Sequence, residues 1–175
     1  MILTKPSIDP VLLSLGIVDI RWYSLAYIIS FIIGSIFIKY LNKQYLNSLS
    51  NKQIDSFFIW SIIGIIFGGR IGYVIFYQTN YLLTDPFYVF KIWTGGMSFH
   101  GGLIGVIISI YFFSKKNNIQ FFYIADLVCI VAPIGLFFGR IANFINSELY
   151  GRVTDFPFAL IYPEIDYLPR HPSQI

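Results

Sequence analysis

An all-α, polytopic transmembrane helical bundle is the architecture expected here, with about four spans and an outward-facing polar loop or cap. Three observations lead to it. The 175 residues are 56% hydrophobic and only 12% charged, against about 25% charge in ordinary soluble domains. Aromatic residues make up 19%, with 18 Phe and 13 Tyr, more apolar surface than a single soluble core of this size can bury. The apolar residues also gather into segments near the roughly 17–25 residues a tilted membrane helix needs once flanks are added.

Taken in chain order, residues Met1 to Asp19 mix apolar, proline and acidic positions and lack the basic start and apolar run of a cleavable signal. The first helix is then expected to act as an uncleaved insertion signal. Pro10 to Val18 is apolar, flanked by Asp9 and Asp19 and too short to span; it is expected to lie along the outer interface as an amphipathic segment. The first span is expected over 22–38, without a charge. The second, over 56–77, contains Arg70. The third, over 97–113, has His100 near its start. The fourth, over 124–139, has Asp126 near one end and Pro133 in the middle. From Arg140 onward the chain turns polar and rich in proline, which reads as the loop or cap.

Basic residues orient the bundle. Lys39, Lys43 and Lys52 follow the first span, and Lys115 and Lys116 follow the third, whereas the loop after the second holds only Lys91. The positive-inside rule makes the first and third loops cytoplasmic and places the N-terminus, the second loop and the cap outside. A net charge of +3 gives no basic face for nucleic acid. One cysteine, Cys129, excludes an internal disulfide and a Cys-rich metal site, and is expected to be a small buried residue. His100 and His171 are too few for a histidine metal cage, so neither metal nor cofactor is expected.

Chemistry concentrates in a few stretches. Gly139 to Gly151 packs Arg140, Asn143, Asn146 and Glu148 beside the membrane. Arg140, Asn143 and Ser147 share a face at helical spacing. Arg140 is expected to pair with Glu148 or to meet a lipid phosphate as a bidentate donor. Taken alone, the stretch is equally well explained by an interfacial arginine reaching to headgroups and an asparagine capping a helix. In Gly95 to Leu103, a glycine-rich turn enters a helix whose N-terminal N–H groups, those of Gly101 and Gly102 among them, suit an anion. His100 there can handle a proton near neutral pH. The plainer alternative is that Gly101, Gly102 and Gly105 only let helices approach closely. Within the second span, Arg70 among glycines is costly unless paired; a functional role and pairing with Asp126 or a carbonyl both remain open. Arg21, Trp22 and Tyr23 fit an interfacial belt. Glycine, histidine and arginine thus gather at one membrane face, suited to a substrate with a phosphate headgroup and acyl tails.

Together these stretches resemble the prolipoprotein diacylglyceryl transferase family. Its Gly-Arg-x-x-Asn-Phe-x-Asn-x-Glu-x-x-Gly signature is matched at every fixed position from Gly139 to Gly151. Gly-Gly-Met-Ser-Phe-His-Gly-Gly-Leu spans Gly95 to Leu103, Gly-Gly-Arg-Ile-Gly-Tyr spans Gly68 to Tyr73, and Arg-His-Pro-Ser-Gln spans Arg170 to Gln174. The resemblance implies a bacterial inner-membrane enzyme whose active site faces the extracytoplasmic side. It would move a diacylglyceryl group from phosphatidylglycerol to the lipobox cysteine thiol of a prolipoprotein signal peptide, releasing glycerol phosphate, the first step of lipoprotein maturation. It implies importance for Tyr23, His100, Arg140, Asn143, Glu148 and Gly151. His100 fits a general base, Arg140 a stabiliser of the leaving phosphate, and Tyr23 a further catalytic position. Arg140, Asn143, Glu148, Gly101, Gly102 and Gly151 would bind phosphatidylglycerol, with Arg70, Asn146 and Arg170 in support. The family continues beyond Arg-His-Pro-Ser-Gln with further helices. Residues 1–175 are therefore expected to form a single transferase domain lacking its C-terminal part, weak or inactive alone, or working with a separately encoded C-terminal half. A small transporter or channel subunit is the alternative from another class, against which stands the lack of an inverted repeat.

Overall fold

The computed structural model describes residues 3–16, 19–46 and 48–174. It is mainly helical, as expected. Three helical stretches are long and apolar enough to cross a membrane: Trp22–Leu46, Asn51–Tyr77 and Phe121–Ile145. The chain divides into two compact units, Met1–Gly34 with Val131–Ile175, and Ser35–Ile130.

Helix α1 (Trp22–Leu41) starts in the first unit and ends in the second, in a widened π-turn over Asn42–Leu46. Buried Asn42 holds this corner: its Oδ1 accepts from the N–H groups of Ser48 and Leu49, and its amide donates to Leu49 O. Helix α2 (Asn51–Tyr77) starts at a capping box, in which Ser50 Oγ accepts from Gln53 N–H and Gln53 Oε1 accepts from Ser50 N–H. It therefore begins before the expected boundary, and Lys39 reaches Asp55 in its first turns at 2.5 Å. A short helix α3 (Thr79–Thr84) and two 3-10 turns, Pro86–Phe90 and Ile92–Thr94, fill the second loop.

Helix α4 (Phe99–Asn117) is capped by Ser98 and ends at Asn118, whose φ of 54° is the left-handed turn that asparagine tolerates. It is not among the three stretches that meet the length and apolarity of a span, since its 19 residues include His100, glycines and terminal lysines. It packs tightly on α2. A Cβ added at Gly68 would lie 2.9 Å from Gly105 Cα, and one at Gly72 would lie 2.7 Å from Gly101 Cα. Small residues four apart on each helix let the two backbones touch. Phe57, Val74, Ile110 and Phe113 are buried in this unit.

Helix α5 (Phe121–Ile145) starts in the second unit and carries Pro133 without ending there; neighbouring helices in a membrane protein tolerate such a proline. Large apolar side chains such as Ile28, Ile32 and Ile36 on α1 are exposed, the pattern of a face meant for lipid. Cys129 is exposed rather than buried. It sits on an outward face of α5, where a small apolar side chain meets lipid without cost.

The first unit holds β1 (Leu3–Thr4), β2 (Val11–Ser14) and β3 (Asp19–Arg21), ahead of α1. The apolar stretch expected along the interface forms an antiparallel hairpin of β2 and β3, with Leu12, Leu13 and Leu15 exposed; Ile17 and Val18 of that stretch lie outside the described residues. The polar segment after α5 is partly ordered by a three-stranded sheet, β1-β4-β5, built with β4 (Leu160–Ile161) and β5 (Pro169–Arg170). The N-terminal strand pairs parallel with β4, Leu3 opposite Leu160.

Candidate active site

In the first unit, α5 carries Arg140 and Asn143 and ends at Ile145. The chain then reverses through two residues with positive φ, Ser147 at 55° and Leu149 at 53°. Glu148, between them, donates its N–H to Asn143 O at 2.9 Å. This reversal turns the Glu148 carboxylate toward α1 rather than along α5. Tyr23 Oη donates to Glu148 Oε2 at 2.6 Å, and Asn143 Nδ2 donates to Tyr23 Oη and, at 3.3 Å, to the same Glu148 oxygen. Three residues from separate positions in the sequence thus form one closed polar network. Both bonds fall on Oε2, and Glu148 Oε1 takes no part in the network.

The expected pairing of Arg140 with Glu148 is not formed. Glu148 is committed to Tyr23 and Asn143, and exposed Arg140 has no hydrogen-bond or ion-pair partner among the described residues. Its guanidinium remains available to an anion. Ser147 leaves the Arg140–Asn143 face because the helix has ended; it is buried and donates to Glu164 Oε2 at 3.1 Å.

The cap supports this network from behind. Gln174 Nε2 donates to Glu148 O at 2.7 Å, and Gln174 Oε1 accepts from Tyr162 Oη. Gly151 N–H donates to His171 O at 2.9 Å, and a Cβ at Gly151 would lie 3.0 Å from His171 Cβ. Gly151 therefore shapes the cap by permitting close backbone approach. Arg170 binds Asp166 with Nη2 at 2.5 Å and donates to Gly151 O. The Arg170 guanidinium holds the Asp166 carboxyl below its ordinary range. Burial raises the pKa of the Tyr162 hydroxyl.

Lys5, Glu164, Tyr162 and Ser98 were not singled out from the sequence. Lys5 is 2% exposed, with Nζ 3.5 Å from Glu164 Oε1. Burial works against the Glu164 carboxylate, but its own backbone N–H, Ser147 and Lys5 together bring its pKa down. A lysine beside a proline near a chain start carries no signal of burial. A cavity of about 550 Å³ beside this pair is lined by Asp9, Asn146, Ser147 and Glu164, among others. Asn146 Oδ1 is buried without a hydrogen-bond partner among the described residues.

The second unit carries His100, Gly101, Gly102 and Arg70. His100 is exposed in the first turn of α4, in edge contact with Phe99 at 5.5 Å between ring centres. The Gly101 N–H donates to Ser98 Oγ and the Gly102 N–H to Ser98 O, so both donors that suited an anion are already used. Ser98 is the N-cap, and a serine just ahead of an apolar helix is the sequence signal for it. Gly101 is required by packing against α2, whereas a Cβ at Gly102 would meet Ile65 only at 3.9 Å. Arg70 is buried and bonded to main-chain carbonyls, not to Asp126, which is exposed. Among the described residues no cluster of His, Cys, Asp and Glu could hold a metal.

The family model for prolipoprotein diacylglyceryl transferase matches residues 10–175. The chain belongs to that family. It is similar to proteins named phosphatidylglycerol–prolipoprotein diacylglyceryl transferase from several bacteria. With the Paramagnetospirillum magneticum protein it is 46% identical over 174 residues, covering 99% of this chain and 65% of that one. With a Vibrio cholerae protein it is 46% identical over 170 residues, covering 97% and 63%. With the Rickettsia felis protein it is 43% identical over 173 residues, covering 99% and 67%. The chain thus spans about two thirds of the length of these curated relatives. Membership of this transferase family, with the apolar helices, makes it a multi-pass membrane protein.

Proposed function

We propose that this chain forms the part of a diacylglyceryl transferase that grips the lipid headgroup, acting on phosphatidylglycerol and the lipobox cysteine of a prolipoprotein. The observation that carries this reading is the closed Tyr23–Asn143–Glu148 network at the end of α5, one helical turn from an Arg140 left without a partner. The thiol sulfur attacks the glyceryl carbon that bears the phosphate ester. An S–C bond forms, the C–O bond breaks, and glycerol phosphate leaves with the electron pair. The thiol, with an ordinary pKa near 8.5, gives its proton to a base, a role assigned to the exposed His100 imidazole. Arg140 meets the charge growing on the leaving phosphate with paired N–H donors. Tyr23 and Asn143 hold the Glu148 carboxylate so that its second oxygen accepts from a substrate hydroxyl. Gly151 and Arg170 shape the cap behind that carboxylate. The spans lie in the bacterial inner membrane, with the Lys39–Lys52 and Lys115–Lys116 loops in the cytoplasm and the cap outside.

The test is complementation of a transferase-depleted bacterium, with residues 1–175 alone and joined to the remaining third of a relative. In the joined protein, Arg140→Ala and Tyr23→Phe are expected to lower transfer to a lipobox peptide at least about 100-fold, the scale of a lost transition-state donor. Tyr23→Phe removes one hydroxyl and leaves packing intact. Wild-type rates in both variants would sink the proposal.

A further inference from the structure

Arg70 is 1% exposed, on an otherwise apolar helix. A buried guanidinium is costly unless every donor is met. Here all five are. Nε donates to Val89 O at 3.4 Å, Nη1 to Gly95 O and to Gly96 O at 3.4 Å, and Nη2 to Tyr88 O at 3.0 Å and Thr94 Oγ1 at 2.9 Å. The guanidinium lies over the Tyr88 ring at 4.7 Å and the Tyr73 ring at 5.6 Å. None of the salt bridges among the described residues involves it. Its charge is therefore solvated by four main-chain carbonyls and the Thr94 hydroxyl, all from a single segment, residues 88–96.

That segment leads into the turn before α4. Gly95 and Gly96 have φ of 76° and 85°, and Gly96 lies against the Tyr73 ring, where a Cβ has no room. Ser98 N–H then donates to Gly69 O at 2.9 Å before capping the helix. Gly69, Arg70 and Tyr73 of α2 thus set the path of residues 95–98, and His100 follows the N-cap by two residues.

We propose that Arg70 is a positioning residue: its five-way grip on residues 88–96 holds the start of α4 in one conformation and so presents the His100 imidazole. This rests on the role assigned to His100 above. A lysine cannot replace it, because an ammonium offers three donors and no planar fork.

The test uses the 175-residue protein in lipid nanodiscs, as wild type, Arg70→Lys and Arg70→Gln. Amide exchange across residues 86–98 is expected to quicken at least about tenfold in both variants, the scale of one lost net hydrogen bond, while residues 106–114 keep their protection. The imidazole signal of His100 in ¹⁵N-histidine spectra is expected to broaden or split. In the joined transferase, kcat should fall about 100-fold with KM unchanged, as for a displaced catalytic group. Wild-type exchange and an unchanged His100 signal in the variants, full restoration by lysine, or undiminished kcat overturns the proposal. Thr94→Val removes one acceptor of Arg70 together with the hydroxyl's own bond to Lys91 O and serves if both Arg70 variants unfold: faster exchange that extends to residues 95–98 supports the grip, and exchange unchanged there refutes it. Should the joined wild type transfer nothing, the functional reading fails, while exchange and the histidine signal still decide the positioning.

Discussion

Where a polar side chain near the ends of these helices has a partner, the partner's chemistry shows what the contact does. Arg70 meets carbonyls, which hold a loop. Glu148 meets a phenol and an amide, which aim a carboxylate. Arg140 meets nothing among the described residues, which leaves free the cation that the proposed headgroup contact needs. Asp166 and Glu164 in the cap show how such partners enter stability. Both carboxyls are held below their ordinary pKa in the folded protein. A lowered folded pKa means the unfolded chain binds the proton more readily. Their contribution is therefore fully present above the unfolded value, near 4, and is lost as pH falls through the lowered folded value. Cleavage of the cap by an acid-active protease should rise below about pH 4, and Asp166→Asn should flatten that rise by removing the Arg170 pair. An unchanged acid response in Asp166→Asn would refute the linkage.

At the scale of elements, the contact of α2 with α4 depends on missing side chains. Gly64, Gly68 and Gly72 face Gly101, Gly105 and Ser109 so closely that an added methyl group meets backbone atoms, which cannot yield as a flexible side chain would. Gly102, beside them in sequence, has room for a methyl group, which would meet Ile65 only at ordinary contact distance, 3.9 Å. Gly105→Ala should then destabilise the folded protein in detergent by about 1–3 kcal/mol, the usual cost of overpacking. Gly102→Ala should change it by no more than about 0.5 kcal/mol, the range for substitutions that disturb no contact. Thermal unfolding of the two variants checks the contrast, and equal losses would mean the helices are not in backbone contact. Neighbouring glycines in one sequence motif thus do different jobs, which spacing alone does not reveal.

For the whole molecule, the distribution of lysines makes a topological prediction. Single cysteines at Lys52 and Lys115, in a Cys129→Ser background, should react with an impermeant thiol reagent only from the cytoplasmic side. A cysteine at Trp93, which is 78% exposed in the second loop, should react only from outside. That pattern requires α4 to cross the membrane with α2, although its own composition falls short of a span. Labelling of Lys115→Cys and Trp93→Cys from the same side would show that α4 does not cross, and would remove the orientation assigned to the site.

The helical membrane architecture and the family were legible in the sequence, because each depends on local quantities: apolar run length and motif residues in order. Helix ends were read less well. α2 begins at a capping box in the polar residues before its apolar run, and α5 runs past Arg140 to Ile145. Tyr23, Asn143 and Glu148, which the fold joins, stand out in the sequence too, but their pairings do not. Pairing with Arg140, eight positions away, is one of the two arrangements the sequence offers, whereas the left-handed turn at Ser147 and Leu149 carries the Glu148 carboxylate to Tyr23, 125 positions away. The partners of Arg70, the burial of Lys5 against Glu164 and the recruitment of Leu3–Thr4 into the cap's sheet were likewise decided only in three dimensions. The reason is physical. Solvation by a bilayer acts on each residue by its own polarity, whereas a hydrogen bond between distant residues exists only once the backbone has brought donor and acceptor within about 3 Å.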